Sequence, residues 1–205
     1  REALKHIMGT ALGNAGWAFS LRSPYFLFRR YFMSSLGEEV KDWLVAIVVA
    51  VVLAFIIRQF IVELYVVDGP SMRPTLQSRE RLVVNKFIYR MREPERGEII
   101  VFRYPRDPSR DFIKRVIAVP GDTIEIKDGK VFVNQQLLNE DYILEKTLTN
   151  YPLSTVPAGH IFVMGDNRNN SEDSRFADVG FVPYELVKGK AMVVFWPVAE
   201  AKSLP

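Results

Sequence analysis

A chain of 205 residues, 48% hydrophobic and 25% charged, can bury one sizeable core but not two full domains together with a membrane segment. Its net charge of +3 comes from basic residues interspersed with acidic ones, as in Arg79-Glu80-Arg81, which argues against the single-sign stripe of a nucleic-acid-binding protein. The absence of cysteine excludes disulfides, thiolate catalysis and cysteine-based zinc sites, and fits either side of a membrane.

Position 1 is Arg rather than Met, which leaves a start upstream open. Residues 1–39 are rich in aromatics, among them Trp17, Phe19, Tyr25, Phe26 and Tyr31, and read as a cytoplasmic segment lying at a membrane surface. The stretch Ile7 to Leu21 is uncharged, but Gly9, Gly13, Asn14 and Gly16 argue against a second spanning helix. From Trp43 to Ile57 every residue is apolar, with no polar face of the kind a soluble surface helix shows. Fifteen residues cover only about 22 Å of a hydrocarbon core about 30 Å thick, so the expected anchor extends over residues 40–62, with Arg58 snorkelling to the headgroups. Arg22, Arg29, Arg30 and Lys41 precede it, whereas Arg58, Glu63 and Asp68 follow it. That bias predicts the N-terminus inside and residues 63–205 outside.

Beyond the anchor, short β-rich runs alternate with turn residues: Leu64 to Val67, Arg81 to Asn85, Glu98 to Tyr104, Asp111 to Val119, Thr123 to Lys127, Lys130 to Asn134, Ile161 to Met164 and Lys190 to Trp196. Asp128-Gly129 between two alternating strands suits a type I′ hairpin. Only Pro183 to Val187 and parts of Asn139 to Glu145 look helical. The expected fold class is all-β, a mostly antiparallel β catalytic domain preceded by one transmembrane α-helix.

Which base could serve a nucleophile decides the chemistry. Of the two histidines, His6 precedes the anchor, and His160 beside Gly159 reads best as a surface or capping residue. That points to lysine. Three segments stand out. Gly69-Pro70-Ser71-Met72-Arg73-Pro74-Thr75-Leu76 sets a serine between prolines directly after a strand, although a Pro-bounded turn alone would be ordinary. Asp111 to Asp122 is a strand ending in Pro120-Gly121, on which Lys114 shares a face with Phe112 and Val116 while Arg115 points away. A solvated strand lysine would read the same way. Gly165 to Arg175 is a dense polar loop in which Arg168 and Arg175 argue against a calcium cage.

Together these segments resemble the boxes of bacterial type I signal peptidases: Ser-Met-x-Pro-Thr-Leu, Ile-Lys-Arg-Val-Ile ending in Pro-Gly-Asp, and Gly-Asp-Asn-Arg-x-Asn-Ser-x-Asp-Ser-Arg. Arg96-Gly97-Glu98-Ile99-Ile100-Val101-Phe102 is similar to the family's Gly-Asp-Ile-Val box. The resemblance covers about Arg58 to Pro197, in the family's order. It implies Ser71 as nucleophile, Lys114 as general base, Ser171 as the hydroxyl that orients the lysine, and Asp173 with Arg175 as a supporting ion pair. Asp166 and Arg168 look structural. Where some members have an oxyanion-binding serine two residues before the nucleophile, this chain has Gly69, which leaves the Ser71 backbone N–H as the main donor. The large extra β-domain of some relatives is absent, as in the family's minimal form.

The resemblance further implies a neutral lysine in an apolar pocket, an acyl-enzyme, and no metal or cofactor. It implies a substrate bound as an added strand beside Tyr65 to Asp68 and Phe112 to Lys114. Val67, Met72, Leu76 and Ile113 match the pocket for the residue before the cut, and Tyr65, Leu82 and Ile113 the pocket for the third residue before it. The implied partners are secretory preproteins, the lipid bilayer of a plasma or inner membrane or a thylakoid, and the protein-export machinery; nucleic acid is not among them. Two rivals remain from other classes. A LexA-type self-cleaving regulator would need a DNA-binding segment and a cleavable bond upstream of the serine, yet a spanning run stands there and the Ala158-Gly159 bond lies far downstream. A membrane-tethered β-domain that binds peptides without cutting them would not need Ser71, Lys114 and Ser171 together. A penicillin-binding enzyme would place lysine where Pro74 stands.

Overall fold

The computed structural model describes residues 24–205, with side chains described from Gly37 onward except at Gln59. Ile7 to Leu21 and His6 lie outside the described residues. Helix α1 (Pro24–Phe60) runs for 37 residues, so the described part of the expected N-terminal segment is helical and continuous with the apolar run. Within it Gly37–Arg58 forms a 22-residue stretch of mean hydropathy 2.6 with none of it buried. At an α-helical rise this is about 33 Å, long enough to cross a hydrocarbon core. The helix stops at Phe60, short of the expected Val62, because strand pairing takes over at once. The Ile61 carbonyl accepts from the Lys86 N–H at 2.8 Å, and β1 (Val62–Val66) begins with the next residue.

The remaining strands are β2 (Arg81–Asn85), β3 (Ile99–Tyr104), β4 (Asp107–Ala118), β5 (Thr123–Lys127), β6 (Lys130–Val133), β7 (Gln136–Leu137), β8 (Tyr151–Thr155), β9 (His160–Met164), β10 (Val182–Pro183), β11 (Val187–Trp196) and β12 (Lys202–Ser203). They form an eight-stranded sheet of order β1-β2-β11-β3-β4-β9-β10, with β12 on β11, and a four-stranded sheet of order β7-β6-β5-β8. Every pairing is antiparallel, so the all-β expectation holds. Asp128 and Gly129 have φ of 51° and 72°, the two positive values that a type I′ turn requires.

Period-2 alternation explains the core. On β3, Ile99 and Val101 face a cluster with Leu82, Val84, Ala191 and Val194, while Ile100 and Phe102 face a second with Val116, Ile161 and Val163. Burial on both faces accounts for its unbroken apolar run. A third cluster, with Ile117, Ile124, Ile126, Val133 and Phe162, joins the two sheets.

Two expectations are corrected. Asn139 to Glu145 contains turns and no helix, with Tyr142 lying face-on to the Arg115 guanidinium at 3.9 Å. In Pro183 to Val187 only Tyr184–Leu186 is helical, as a single 3₁₀ turn. The short strands β7, β8, β10 and β12 carry too few alternating apolar residues to be read from sequence.

Among the described residues, β1 pairs only with β2, and β4 pairs with β9 only from Arg115 onward, so the outer side of β1 and one side of Asp107 to Lys114 are open edges.

Gly189 fixes how closely β11 approaches β2. A Cβ there would strike the Asn85 carbonyl oxygen and lie 2.9 Å from Val84 Cγ1. Gly→Ala at an unstrained site gains about 0.4–1 kcal/mol, whereas overpacking costs about 1–3 kcal/mol. Gly189→Ala is therefore expected to lower the thermal unfolding midpoint of the detergent-solubilised protein, as followed by circular dichroism.

Candidate active site

The serine turn is held from below and from the side. Val67 N–H donates to the Glu80 carbonyl at 2.8 Å, extending the β1 ladder, and Gly69 then turns the chain at a φ of 94°. Its N–H donates to Ser78 Oγ at 3.0 Å. Met72 and Leu76, almost fully buried, pin the following turn into the core. From the side, the Asn167 N–H donates to the Ser71 carbonyl at 3.0 Å and Asn167 Nδ2 to the Pro70 carbonyl at 3.2 Å. Thr75 donates its hydroxyl hydrogen to Asp166.

Lys114 comes to this turn from β4. Its Nζ donates to Ser71 Oγ at 3.1 Å and to the Ile113 carbonyl at 3.0 Å, and lies 4.9 Å from the centre of the Phe112 ring. The residue is 4% exposed. Burial lowers its pKa from the ordinary 10.5 to about 8, against the opposing pull of the Asp173, Glu172 and Asp166 charges. Arg115, on the other face of the strand, is also buried: its Nε and Nη2 donate to the two Asp166 oxygens at 2.8 and 2.7 Å, and its Nη1 to the Gly97 carbonyl at 2.9 Å.

The polar loop after β9 is built around a second fork. Arg175 Nε and Nη2 donate to the Asp173 oxygens at 2.7 and 2.8 Å, and the same carboxylate accepts the Gly165 N–H at 2.9 Å. Arg175 also donates to the Arg168 carbonyl and to Thr147. Arg168, buried as well, donates to Glu140 at 2.6 Å and to the Gly165 carbonyl at 3.0 Å. Arg168 and Arg175 tie this loop together. The Ser171 hydroxyl is buried and has no hydrogen-bond partner among the described residues.

Gly165 lies between Ser171 and the serine turn. A Cβ on it would collide with Ser171 Oγ and would lie 2.5 Å from the Ser71 carbonyl oxygen. Only glycine lets those two segments close on each other.

Beside Ser71 and Lys114 runs a groove of about 410 Å³ between the open edges of β1 and β4. Tyr65, Val67, Gly69, Met72, Phe112 and Ile113, all singled out in the sequence, line it. Leu76 and Leu82, expected at its pockets, are fully buried in the core and do not line it. Asp173 and Arg175 sit behind it in the buried loop.

Residues 40–196 match the family described as Signal peptidase, peptidase S26. The chain belongs to that family. It is 46% identical to a probable signal peptidase I-2 of Synechocystis over 157 residues, 74% of this chain and 71% of that one. It is 40% identical to signal peptidase I P of Bacillus subtilis subsp. natto over 171 residues, 78% of this chain and 91% of that one. A crystal structure of a signal peptidase I from Enterococcus faecalis aligns over 97% of its length and 48% of this chain, with 35% identity and a TM-score of 0.43. Membership makes the chain a serine endopeptidase of the signal peptidase type, and the one helix among the described residues that is long and apolar enough to span a membrane fits an anchor for it.

Sequence reasoning did not single out Gly165, Asn167, Thr75, Arg115 or Glu172 for the site. Thr75 and Arg115 stand inside the family's boxes, and the signal that could have raised them was the excess of buried-type charge pairs the loop must satisfy. The role of Gly165 depends on a contact 94 residues away in sequence, with the Ser71 carbonyl, which no local pattern carries.

Gly165→Ala is expected to lower precursor cleavage by roughly 100-fold, the scale of a 1 Å misplacement in an active site. Steady-state assays beside circular dichroism of the same preparation would separate this from global unfolding.

Proposed function

We propose that the chain removes signal peptides from secretory preproteins, with Ser71 as nucleophile and neutral Lys114 as general base. The observation that carries this reading is the 3.1 Å hydrogen bond from the buried Lys114 Nζ to Ser71 Oγ, beside a groove with two open strand edges.

A preprotein segment adds as a strand between Tyr65–Asp68 and Phe112–Lys114, where free backbone groups on both sides supply its hydrogen bonds. Lys114 takes the Ser71 hydroxyl proton as Oγ bonds to the scissile carbonyl carbon. The oxyanion rests on the Ser71 N–H, which has no protein acceptor among the described residues. Lys114 returns the proton to the leaving amine, giving an acyl-enzyme, and then deprotonates the water that hydrolyses it. The resemblance assigns Ser171 to orient the amine, although its hydroxyl makes no hydrogen bond to Lys114 in this structure, and the Asp173–Arg175 fork holds the loop that carries Ser171. Val67, Met72 and Ile113 form the pocket for the residue before the cut, and Tyr65 and Ile113 that for the third residue before it.

Residues 40–60 anchor this peptidase in a plasma or inner membrane, or in a thylakoid membrane, with residues 1–39 cytoplasmic and the strands from Val62 onward on the far side. Preproteins emerge there, and with them the export machinery as a partner.

Ser71→Ala should abolish cleavage, and Lys114→Arg should be as inactive as Lys114→Met, because a guanidinium keeps its proton at any usable pH. Only unprotonated Lys114 accepts the serine proton, so kcat/KM should rise with pH, reach half its plateau near pH 8, and level off above. Activity retained within tenfold in Lys114→Arg would assign the base elsewhere.

For topology, protease added outside intact spheroplasts should digest the chain beyond Gly69 and spare the part before Lys41. Protection of the C-terminal part would reverse the orientation.

A further inference from the structure

Besides Lys114 the groove is lined by four charged residues, Asp68, Arg110, Asp111 and Glu172, none of which takes a proton in the chemistry of the dyad. Glu172 lines the groove together with Ser71, Lys114, Phe112 and Arg110. Its Oε1 accepts the Tyr104 hydroxyl at 2.7 Å, and the Tyr104 ring stacks on Phe112 at 4.5 Å and 13°. Tyr104 is buried and Phe112 half-buried, so this contact fixes the carboxylate on the groove wall. Glu172 itself is exposed, which leaves its second oxygen open to a ligand.

Strand alternation states which part of a substrate meets it. On β4, Asp111 and Ile113 face one way and Arg110, Phe112 and Lys114 the other. Ile113 packs against the cluster that contains Val67 and Met72, which puts the pockets on that side. A bound strand that sends its residues one and three before the cut into those pockets turns the residue between them toward the opposite side. That side carries Phe112 and Glu172. Besides the catalytic lysine, Arg110 is the cation alongside. Its guanidinium is taken up over the Tyr104 and Phe112 rings at 5.6 and 5.5 Å, and among the described residues no ion pair joins it to Glu172. Glu172 also opposes the lowering of the Lys114 pKa, as a carboxylate near the cut would.

Resting on the peptidase reading, we propose that Glu172 is a specificity-determining residue that reads the charge of the side chain two residues before the cut, favouring lysine or arginine there and disfavouring aspartate or glutamate. Such a contact at a half-open site is partly screened, which places the discrimination on the order of tenfold.

The test uses the full chain in detergent and three internally quenched peptides that differ only in carrying Lys, Ala or Glu at that position, with alanine at the two pocket positions. For the wild type, kcat/KM should fall in the order Lys, Ala, Glu, with a Lys-to-Glu ratio of roughly ten or more that shrinks as salt is raised. In Glu172→Gln, each value taken relative to the Ala peptide, that ratio should collapse to within about threefold. Glu172→Asp should keep the order. A ratio unchanged in Glu172→Gln, or no preference in the wild type, overturns the proposal while cleavage of the Ala peptide upholds the peptidase reading. Failure of the wild type to cut any of the three peptides or a full-length precursor would overturn both.

Discussion

The proposed chemistry of this protein depends on taking one ammonium group out of water. Lowering the Lys114 pKa from 10.5 to about 8 disfavours its charged form by about 3 kcal/mol. Because the folded pKa lies below the unfolded one, the sign is definite: below about pH 8 the protonated lysine costs folding that amount. The cost is relieved as pH rises from about 8 through the unfolded value. A protein of ordinary stability, about 5–15 kcal/mol, tolerates such a group only where the surroundings are fixed well enough to keep water away. The purely apolar neighbours do part of this. Phe112 lies against the amine, and Met72 and Val67 close the floor of the turn.

The rest is done by charges that never face the groove. Two arginine–carboxylate forks, Arg115 with Asp166 and Arg175 with Asp173, lie buried on either side of the site. Buried ion pairs contribute little net stability, since desolvation offsets much of the attraction. Their value here is geometric, because each fork is bidentate: Arg115 with Asp166 joins β4 to the loop after β9, while Arg175 with Asp173, two residues apart, closes that loop on itself and reaches Thr147 through Arg175. Asp166 holds β4 through Arg115 and the serine turn through Thr75, so the Ser71 hydroxyl and the Lys114 amine are located by one carboxylate. Asp173 locates Gly165, and with it the narrow gap between Ser171 and the Ser71 carbonyl. The negative charges of this frame also pull the Lys114 pKa upward, so burial must outweigh them to reach about 8.

Much of this was legible in the sequence where the physics is local. The apolar run, the alternating strands and the Asp128-Gly129 turn each follow from periodicity or from a single backbone demand. The conjunction of Ser71 with Lys114 was legible only through the combination of ordered boxes, since neither residue is distinctive alone. Other features were not legible. The end of the helix at Phe60 is decided by Lys86, a pairing partner 25 residues beyond Ile61. Leu76 and Leu82 are pocket residues by the family resemblance, yet both lie fully buried in the core and leave the groove to their neighbours. The fork on Arg115 was hidden because alternation says only that it faces away from Lys114, not that a carboxylate waits there. Charge at position 172 stands at a variable place in its box, so its relation to Tyr104 appears only in three dimensions.

Direct titration of the amine is the most exacting test. With lysines labelled at Cε and followed by carbon NMR in detergent micelles, the Lys114 resonance can be assigned by its loss in Lys114→Met. The account predicts that this resonance titrates near pH 8 in the wild-type enzyme without substrate, well below the exposed lysines. A Lys114 resonance that moves with the others near about pH 10.4 would contradict it, and with it the role of burial in making a base of this lysine.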